Sequence, residues 1–364
     1  MAQYLYLKIY NQLRKDIAEG IYNDAKRLPT EKQLSEQFDV SRITSRKALT
    51  KLFDEGVIVR HSGIGSILKQ DAQKIIQPLN KKIIGLVIEA IWGCYGIGIF
   101  DGAYQLAQNL GYTLILKKSY GEQQKEIDAI NELIALGASG ILISPVHGAY
   151  YNEKILQLVV DNFPIVFIDR YLNGINVPYV GSDNLNATIL AVDTLVANNH
   201  KNIAFITTGK EQASTLEERK AGYIAGLMKH NISEQKQFVC DQLECVSPSI
   251  WNASNIQKAV ENVKYFLVQN PEITGIIASE YDIATIFKEA ATQLSKTILQ
   301  DMELICFDSP HNYMNHYEFT HISQNEFEIG RCAVEILYHV IQKDKSIQLK
   351  TIVPSNLIVG NSTK

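Results

Sequence analysis

From residue 83 onward, short apolar runs alternate with helical stretches, and that alternation restricts the fold more than any other feature. Runs of strand length fall at 83–90, 112–117, 140–144, 165–169, 202–207, 236–240, 275–278 and 303–307. Helical periodicity fills the intervals at 97–110, 123–136, 152–162, 186–198, 216–230, 254–269 and 283–294. The runs are too apolar for a sheet wetted on one face, which points to parallel strands covered by helices on both sides. Two consecutive series of this kind predict two doubly wound lobes. Ligands of such sheets sit outside the carboxyl ends of the strands, here in the cleft between lobes.

A different pattern governs residues 28–68. Leu28-Pro29-Thr30-Glu31-Lys32-Gln33-Leu34 makes Thr30 an N-cap, with Gln33 at the capping-box position. Ser41 caps the next helix, where Ala48, Leu49 and Leu52 fall at helical spacing. Arg42, Thr44, Ser45 and Lys47 remain outside that apolar set. After Gly56, two short β runs flank Ser62-Gly63-Ile64-Gly65, a glycine-bearing hairpin. In a helix-turn-helix the second helix enters a major groove, its N-terminal residues at base edges and phosphates. An amphipathic helix over 4–20, with Leu5, Ile9, Leu13 and Ile17 on one face and Gly20 ending it, is expected to pack on this unit. Charge follows the same division. Residues 1–70 hold 12 Lys and Arg against 8 Asp and Glu, and the remainder holds 23 against 31. The net charge of −4 therefore hides a basic head on an acidic body, suited to meeting polyphosphate with one end only.

In order and spacing, residues 28–68 closely resemble the winged-helix domain of GntR-type transcription regulators. The matching run is Leu-Pro-Thr-Glu, then Val40-Ser41-Arg42-Ile43-Thr44-Ser45-Arg46-Lys47-Ala48-Leu49, then Gly56-Val57-Ile58 and a glycine wing. The resemblance implies DNA contacts from Lys32, Arg42, Thr44 and Arg46 on the helices, and from Ser62 and Gly63 on the wing. Ile64 departs from the polar or basic residue that the family often carries there. Residues 83–363 resemble the sensor domain of the LacI family, which shares its fold with periplasmic sugar-binding proteins. Ordered pieces carry that likeness, among them Asp101-Gly102, Gly140-Ile141-Leu142-Ile143-Ser144-Pro145, Ile168-Asp169-Arg170, Glu218-Arg219 with Gly222, Phe307-Asp308 and Ile322-Ser323-Gln324. Such a head on such a body looks like the arabinose-repressor subfamily. The expected fold class is an N-terminal winged helix-turn-helix, mainly α with a small β wing, followed by an α/β two-lobed periplasmic-binding-protein-like sensor of doubly wound parallel sheets. Its divisions are a head over 1–70, a linker over 71–82 that is polar and interrupted by Pro78, and a body over 83–364. Within the body, lobe 1 covers about 83–183 plus 322–350, and lobe 2 about 184–321 plus 351–364.

Sugar recognition needs planar bidentate groups for vicinal hydroxyls and an aromatic face for the ring. Arg170 ends a strand where the cleft opens, and the resemblance makes it the arginine for sugar hydroxyls. Arg219 matches a second cleft arginine, while Asp308 and Gln324 match cleft positions on the last strands and the crossover. Trp92 and Tyr95 lie between the first strand and helix, where either aromatic would stack on the ring. His147, after Ser144-Pro145, is a further candidate at the cleft mouth. The family's usual Asn-Asp after the strand at 275–279 is replaced by Glu280-Tyr281-Asp282. Either Glu280 or Asp282 takes the hydroxyl-binding role, or the ligand differs from the commonest pentoses and hexoses.

Other function classes fit less well. Gly96-Ile97-Gly98-Ile99-Phe100-Asp101-Gly102 is a loose dinucleotide fingerprint, but the next strand ends in Lys117-Lys118 rather than the acid a ribose requires, which leaves only an NADP-dependent enzyme as an alternative. No Gly-Lys-Ser/Thr phosphate loop, metal-ligand spacing or plausible triad is present, so neither an enzymatic activity nor a cofactor is expected. Five scattered cysteines without a Cys-x-x-Cys pair argue for a reducing compartment. With no charged segment before a long apolar run and no apolar stretch near 18 residues, the expected location is cytoplasmic, with no membrane contact. The expected partners are double-stranded operator DNA, a monosaccharide effector and a second copy in a homodimer; activation in place of repression is the alternative output. Binding through phosphates must respond to salt: for roughly four phosphates neutralised, operator affinity should fall on the order of 10²-fold between 50 and 200 mM salt. Fluorescence anisotropy on a promoter fragment measures this, and a flat response would contradict the DNA reading.

Overall fold

The computed structural model describes residues 2–22, 27–61, 65–69, 72, 82–91, 94–147, 151–209, 213–232, 238–243, 252–310, 314, 316–344 and 346–364. Two compact units make up the chain, a head within Met1–Ile83 and a body that carries both lobes.

In the head, α1 (Ala2–Ala18), α2 (Glu31–Phe38) and α3 (Arg42–Asp54) are followed by the antiparallel pair β1 (Ile58–His61) and β2 (Gly65–Leu68). The capping box forms as the sequence requires. Thr30 Oγ1 accepts from the Gln33 N–H, and Gln33 Oε1 accepts from the Thr30 N–H at 2.8 Å. Ser41 Oγ caps α3 by accepting from the Thr44 N–H. Ile9, Leu13, Ile17, Leu34, Leu49 and Leu52 close the core. Leu5, expected on the buried face of α1, is 37% exposed instead; Tyr6 and Leu7 make the first, partial contacts with the core, and full burial begins at Ile9.

In the body, one six-stranded sheet has the order β13-β7-β6-β5-β3-β4. Its members are β3 (Lys82–Ile88), β4 (Tyr112–Lys118), β5 (Ala138–Ile143), β6 (Ile165–Ile168), β7 (Tyr179–Ser182) and β13 (Lys350–Val353). The other has the order β14-β12-β11-β10-β8-β9, built from β8 (Ile203–Thr208), β9 (Val239–Leu243), β10 (Gly275–Ala278), β11 (Glu303–Phe307), β12 (Thr320–Ser323) and β14 (Asn356–Ile358). Central strands such as β6, β10 and β11 are buried at every residue, which explains their unbroken apolar runs. The short edge strand β14 runs antiparallel to β12, where parallel strands alone were expected.

Three crossings join the lobes. Lobe 1 passes to lobe 2 between Ser182 and Asn184, where α7 (Asn184–Ala197) begins. It is re-entered after β12 by α11 (Glu326–Ile341), which packs on α4 (Ile97–Asn109) and on β5, β6 and β7. The last crossing lies between β13 and β14. Both later boundaries therefore fall beyond the expected 322 and 350: β12 pairs in the second sheet through Ser323, and Lys350–Val353 pairs with Tyr179–Ser182 in the first. Edge strands of three or four residues carry too little apolar pattern to place from sequence.

Two helix pairs on the sheets pack through glycine. A Cβ at Gly102 of α4 would sit 2.0 Å from the Phe327 carbonyl oxygen of α11, and one at Gly330 would meet the Ile99 oxygen at 2.0 Å. In lobe 2, α8 (Ser214–Lys229) approaches α7 in the same way, with Gly222 facing the Leu185 oxygen at 2.4 Å. The Asp101-Gly102 and Arg219-x-x-Gly222 pieces thus have a packing reason. Gly330→Ala should cost about 1–3 kcal/mol, because helix backbones must separate. A fall in melting temperature measured by calorimetry checks this, and no change would mean the contact is looser than described.

Candidate functional site

The carboxyl ends of both sheets face one another across a cavity of about 360 Å³. Glu89 follows β3, Asp169 and Arg170 follow β6, and Asp308 follows β11. Helix α8 contributes Arg219, while Glu280, Tyr281 and Asp282 lie at the N-terminus of α10 (Tyr281–Gln293). Gln324 enters from the crossover after β12. Strand ends supply most of this chemistry.

Asp169 and Asp308 occupy equivalent places in the two lobes. Each directly follows the fourth strand of its sheet in chain order (β6 and β11), each has a left-handed backbone (φ 65° and 64°), and each N–H donates to the neighbouring strand, to Val180 O and Ile322 O respectively. Asp tolerates that conformation better than most residues, and strained backbone of this kind clusters at functional sites. Arg170 donates from Nη1 to Glu89 Oε2 at 2.7 Å, and its Nε lies 3.6 Å from Asp169 Oδ2. Burial alone would disfavour the guanidinium charge, yet Glu89 and Asp169 hold it charged above its ordinary range. Arg219, 4% exposed, donates to Asn184 Oδ1 at 2.9 Å and to the Ser279 carbonyl at 2.5 Å, and lies 3.8 Å over the Phe307 ring. Gln324 Nε2 donates to both Asp308 oxygens, at 3.0 and 2.9 Å. Arg170 Nε and Gln324 Oε1 are buried without a hydrogen-bond partner among the described residues. One buried donor and one buried acceptor thus remain at the cavity wall, suited to a polyhydroxylated ligand.

Of the residues predicted from sequence to meet a ligand, Tyr95, Arg170, Arg219, Glu280, Asp282, Asp308 and Gln324 line this cavity. The Tyr95 hydroxyl donates to Asp169 Oδ1 at 2.5 Å, leaving its ring as the surface on offer. His147 is not among the lining residues; beside it, Glu126 of the helix Gln123–Ala135 accepts from the Val146 N–H at 2.8 Å and from Asn152 Nδ2 at 2.5 Å. Trp92 lies outside the described residues. Sequence reasoning missed Glu89, Asp169 and Tyr281 as lining groups. The first two were findable, since each acid ends an apolar run at the edge where the cleft opens.

On the head, Lys32, Arg42 and Arg46 are exposed. Arg46 pairs with Glu31 at 3.0 Å on the surface, a contact that water already weakens and that a phosphate can replace. Among the described residues Arg42 and Lys47 make no ion pair, and Ile43, 68% exposed, offers an apolar contact of the kind that reads a thymine methyl. Thr44, expected to contact DNA, is 6% exposed, with its Oγ1 2.9 Å from Ser41 Oγ in the N-cap, and Ser45 is buried beside it. Ser62 and Gly63 lie outside the described residues. The exposed Arg60 of β1, bonded to Thr50 Oγ1 at 2.9 Å, extends the basic face instead.

A winged-helix head and a two-lobed body with a polar cleft define a ligand-responsive transcription regulator. The chain belongs to the periplasmic binding protein domain family, whose profile matches residues 84–345, and its head matches the bacterial regulatory proteins of the gntR family over residues 5–68. It is similar to the arabinose metabolism transcriptional repressor of Geobacillus stearothermophilus, at 26% identity over 99% of this chain and 97% of that one. The ribose operon repressor of Halalkalibacterium halodurans is 24% identical over 89% of this chain and 92% of its own length. The crystal structure of the transcription regulator CcpA of Lactococcus lactis superposes with a TM-score of 0.66 at 20% identity, covering 78% of this chain and all of that one.

Burial, reinforced by Glu326 and Asp169, drives the Asp308 carboxyl up to about 8 despite Arg219 and Gln324. In an unfolded chain the same group titrates near ~4. The unfolded state therefore sheds its proton first. This stability contribution is complete below about pH 4 and is lost as pH rises toward about 8. Asp308→Asn should flatten the fall in melting temperature between pH 5 and pH 8. An unchanged pH profile in that variant would contradict the buried-acid assignment.

Proposed function

We propose that this chain represses a carbohydrate-utilisation operon and leaves its operator when a monosaccharide fills the cleft. The observation that carries this reading is the cavity itself. Two arginines and several carboxylates from both lobes converge with the Tyr95 and Tyr281 side chains on a volume suited to one small polar ring. Glu89, Asp169, Glu280 and Asp282 surround it with more negative charge than Arg170 and Arg219 offset, which disfavours sugar phosphates and favours a neutral sugar. L-arabinose leads, because two of the similar proteins are arabinose metabolism repressors. L-fucose or another deoxy sugar is the second choice, because Glu280-Tyr281 replaces the usual Asn-Asp.

In this mechanism the repressor is a cytoplasmic homodimer whose two heads hold half-sites of a palindrome. Lys32, Arg42, Arg46, Ser62 and Gly63 would contact the duplex. Sugar in the cleft changes how the lobes meet and so re-spaces the heads. An arginine fork on guanine is worth roughly 1–3 kcal/mol of discrimination, so misplacing two heads lowers affinity on the order of 10²-fold.

The test is a titration of monosaccharides against the protein bound to a promoter fragment from beside its own gene. L-arabinose, or failing that L-fucose, should release the DNA, and Arg170→Ala should yield a repressor that binds DNA but is not released. If no monosaccharide changes operator affinity, the function proposed here is wrong.

A further inference from the structure

A second polar cluster lies between the lobes, outside the cavity wall, and it centres on Glu218. This residue of α8 belongs to lobe 2, yet two of its partners belong to lobe 1. Its Oε1 accepts from the Tyr171 hydroxyl at 3.1 Å and from Lys350 Nζ at 3.3 Å. Lys350 opens β13 and also lies 5.2 Å from the Tyr171 ring centre. Beside these contacts, the Tyr171 N–H donates to Ser214 Oγ, at the first turn of α8, at 3.1 Å. The carboxylate is largely buried, with 19% of its side chain exposed.

Its other oxygen points back toward the cleft. Glu218 Oε2 accepts from Asn184 Nδ2 at 3.2 Å, and the oxygen of that same amide accepts from Arg219 Nε at 2.9 Å. Asn184 stands at the first crossing between lobes. One planar amide thus has its two ends committed to neighbouring residues of α8: the acid that grips lobe 1 and the arginine that lines the cavity. Neither amide bond can lengthen or turn without disturbing the other.

We propose that Glu218 is a positioning residue, an interlobe clasp that Asn184 ties to Arg219, so that engagement of Arg219 by a ligand sets how firmly the lobes are held together. The clasp stands on the geometry alone; its link to a ligand rests on reading the cleft as the effector site. Charge is essential to it. A carboxylate that accepts from a phenol, an ammonium and an amide at once has no equivalent in a glutamine, which is uncharged and must turn its own NH2 either toward Asn184 Nδ2 or toward the Tyr171 and Lys350 donors.

The test uses the full chain with a donor and an acceptor fluorophore on non-native residues at the exposed positions Asp128 and Tyr265, one on each lobe. Without sugar, Glu218→Gln and Lys350→Met should broaden the inter-label distance distribution and shift it outward, whereas Lys350→Arg, which keeps the cation, should match the wild type. Affinity for L-arabinose should fall about fivefold in Glu218→Gln and in Lys350→Met, although neither residue lines the cavity, and the double variant should be no worse than Glu218→Gln, since both changes break one contact. Distance distributions that coincide in all four proteins would overturn the clasp. Shifted distributions with unchanged L-arabinose affinity would overturn its link to Arg219. A wild type that ignores L-arabinose fails the effector choice alone, and the sugar-free distributions still decide the clasp.

Discussion

The guanidinium of Arg219 is the constraint around which the body is built. A buried cation is tolerated only if its donors are met and its charge is answered. Here a backbone carbonyl, an asparagine oxygen and the face of the Phe307 ring meet it. Each partner comes from a different element: the end of β10, the start of α7 and the end of β11. Holding one side chain therefore fixes three pieces of lobe 2 relative to one another. Lobe 1 answers with its own arginine, Arg170, held by Glu89 and Asp169.

The two lobes reach this arrangement by the same means. Each carries a left-handed aspartate after its fourth strand in chain order, and each fastens a helix pair through glycine so that backbones touch. In lobe 1 the close pair also stations Glu326, whose Oε2 accepts from the Gly96 and Gly98 N–H groups at 2.8 and 2.9 Å. That carboxylate sits at the N-terminus of α4, where the helix dipole favours it, and it steadies the loop that presents Tyr95. Packing directly behind the cavity wall thus helps to fix where a cavity residue stands.

Much of this was legible in the sequence. Unbroken apolar runs gave the parallel strands, and Thr30, Gln33 and Ser41 declared their helix starts by side-chain chemistry alone. Arginines and acids at the ends of apolar runs marked the cleft. What stayed hidden depends on distant contacts. The edge strands at 350–353 and 356–358 take their identity from β7 and β12, not from their own pattern. Thr44 reads as an outward hydroxyl until the N-cap claims it. Glu89 was marked by its place at the end of an apolar run, but its pairing was not, because its arginine stands 81 positions away.

If a sugar in the cleft releases the operator, as proposed, cleft occupancy and the grip on DNA are two views of one equilibrium, and such coupling must be reciprocal. The most direct measurement is therefore calorimetric affinity for L-arabinose with and without saturating promoter DNA. The duplex should weaken sugar binding by the same factor, on the order of 10²-fold, by which sugar weakens the duplex. Sugar affinity that is indifferent to the duplex would contradict it.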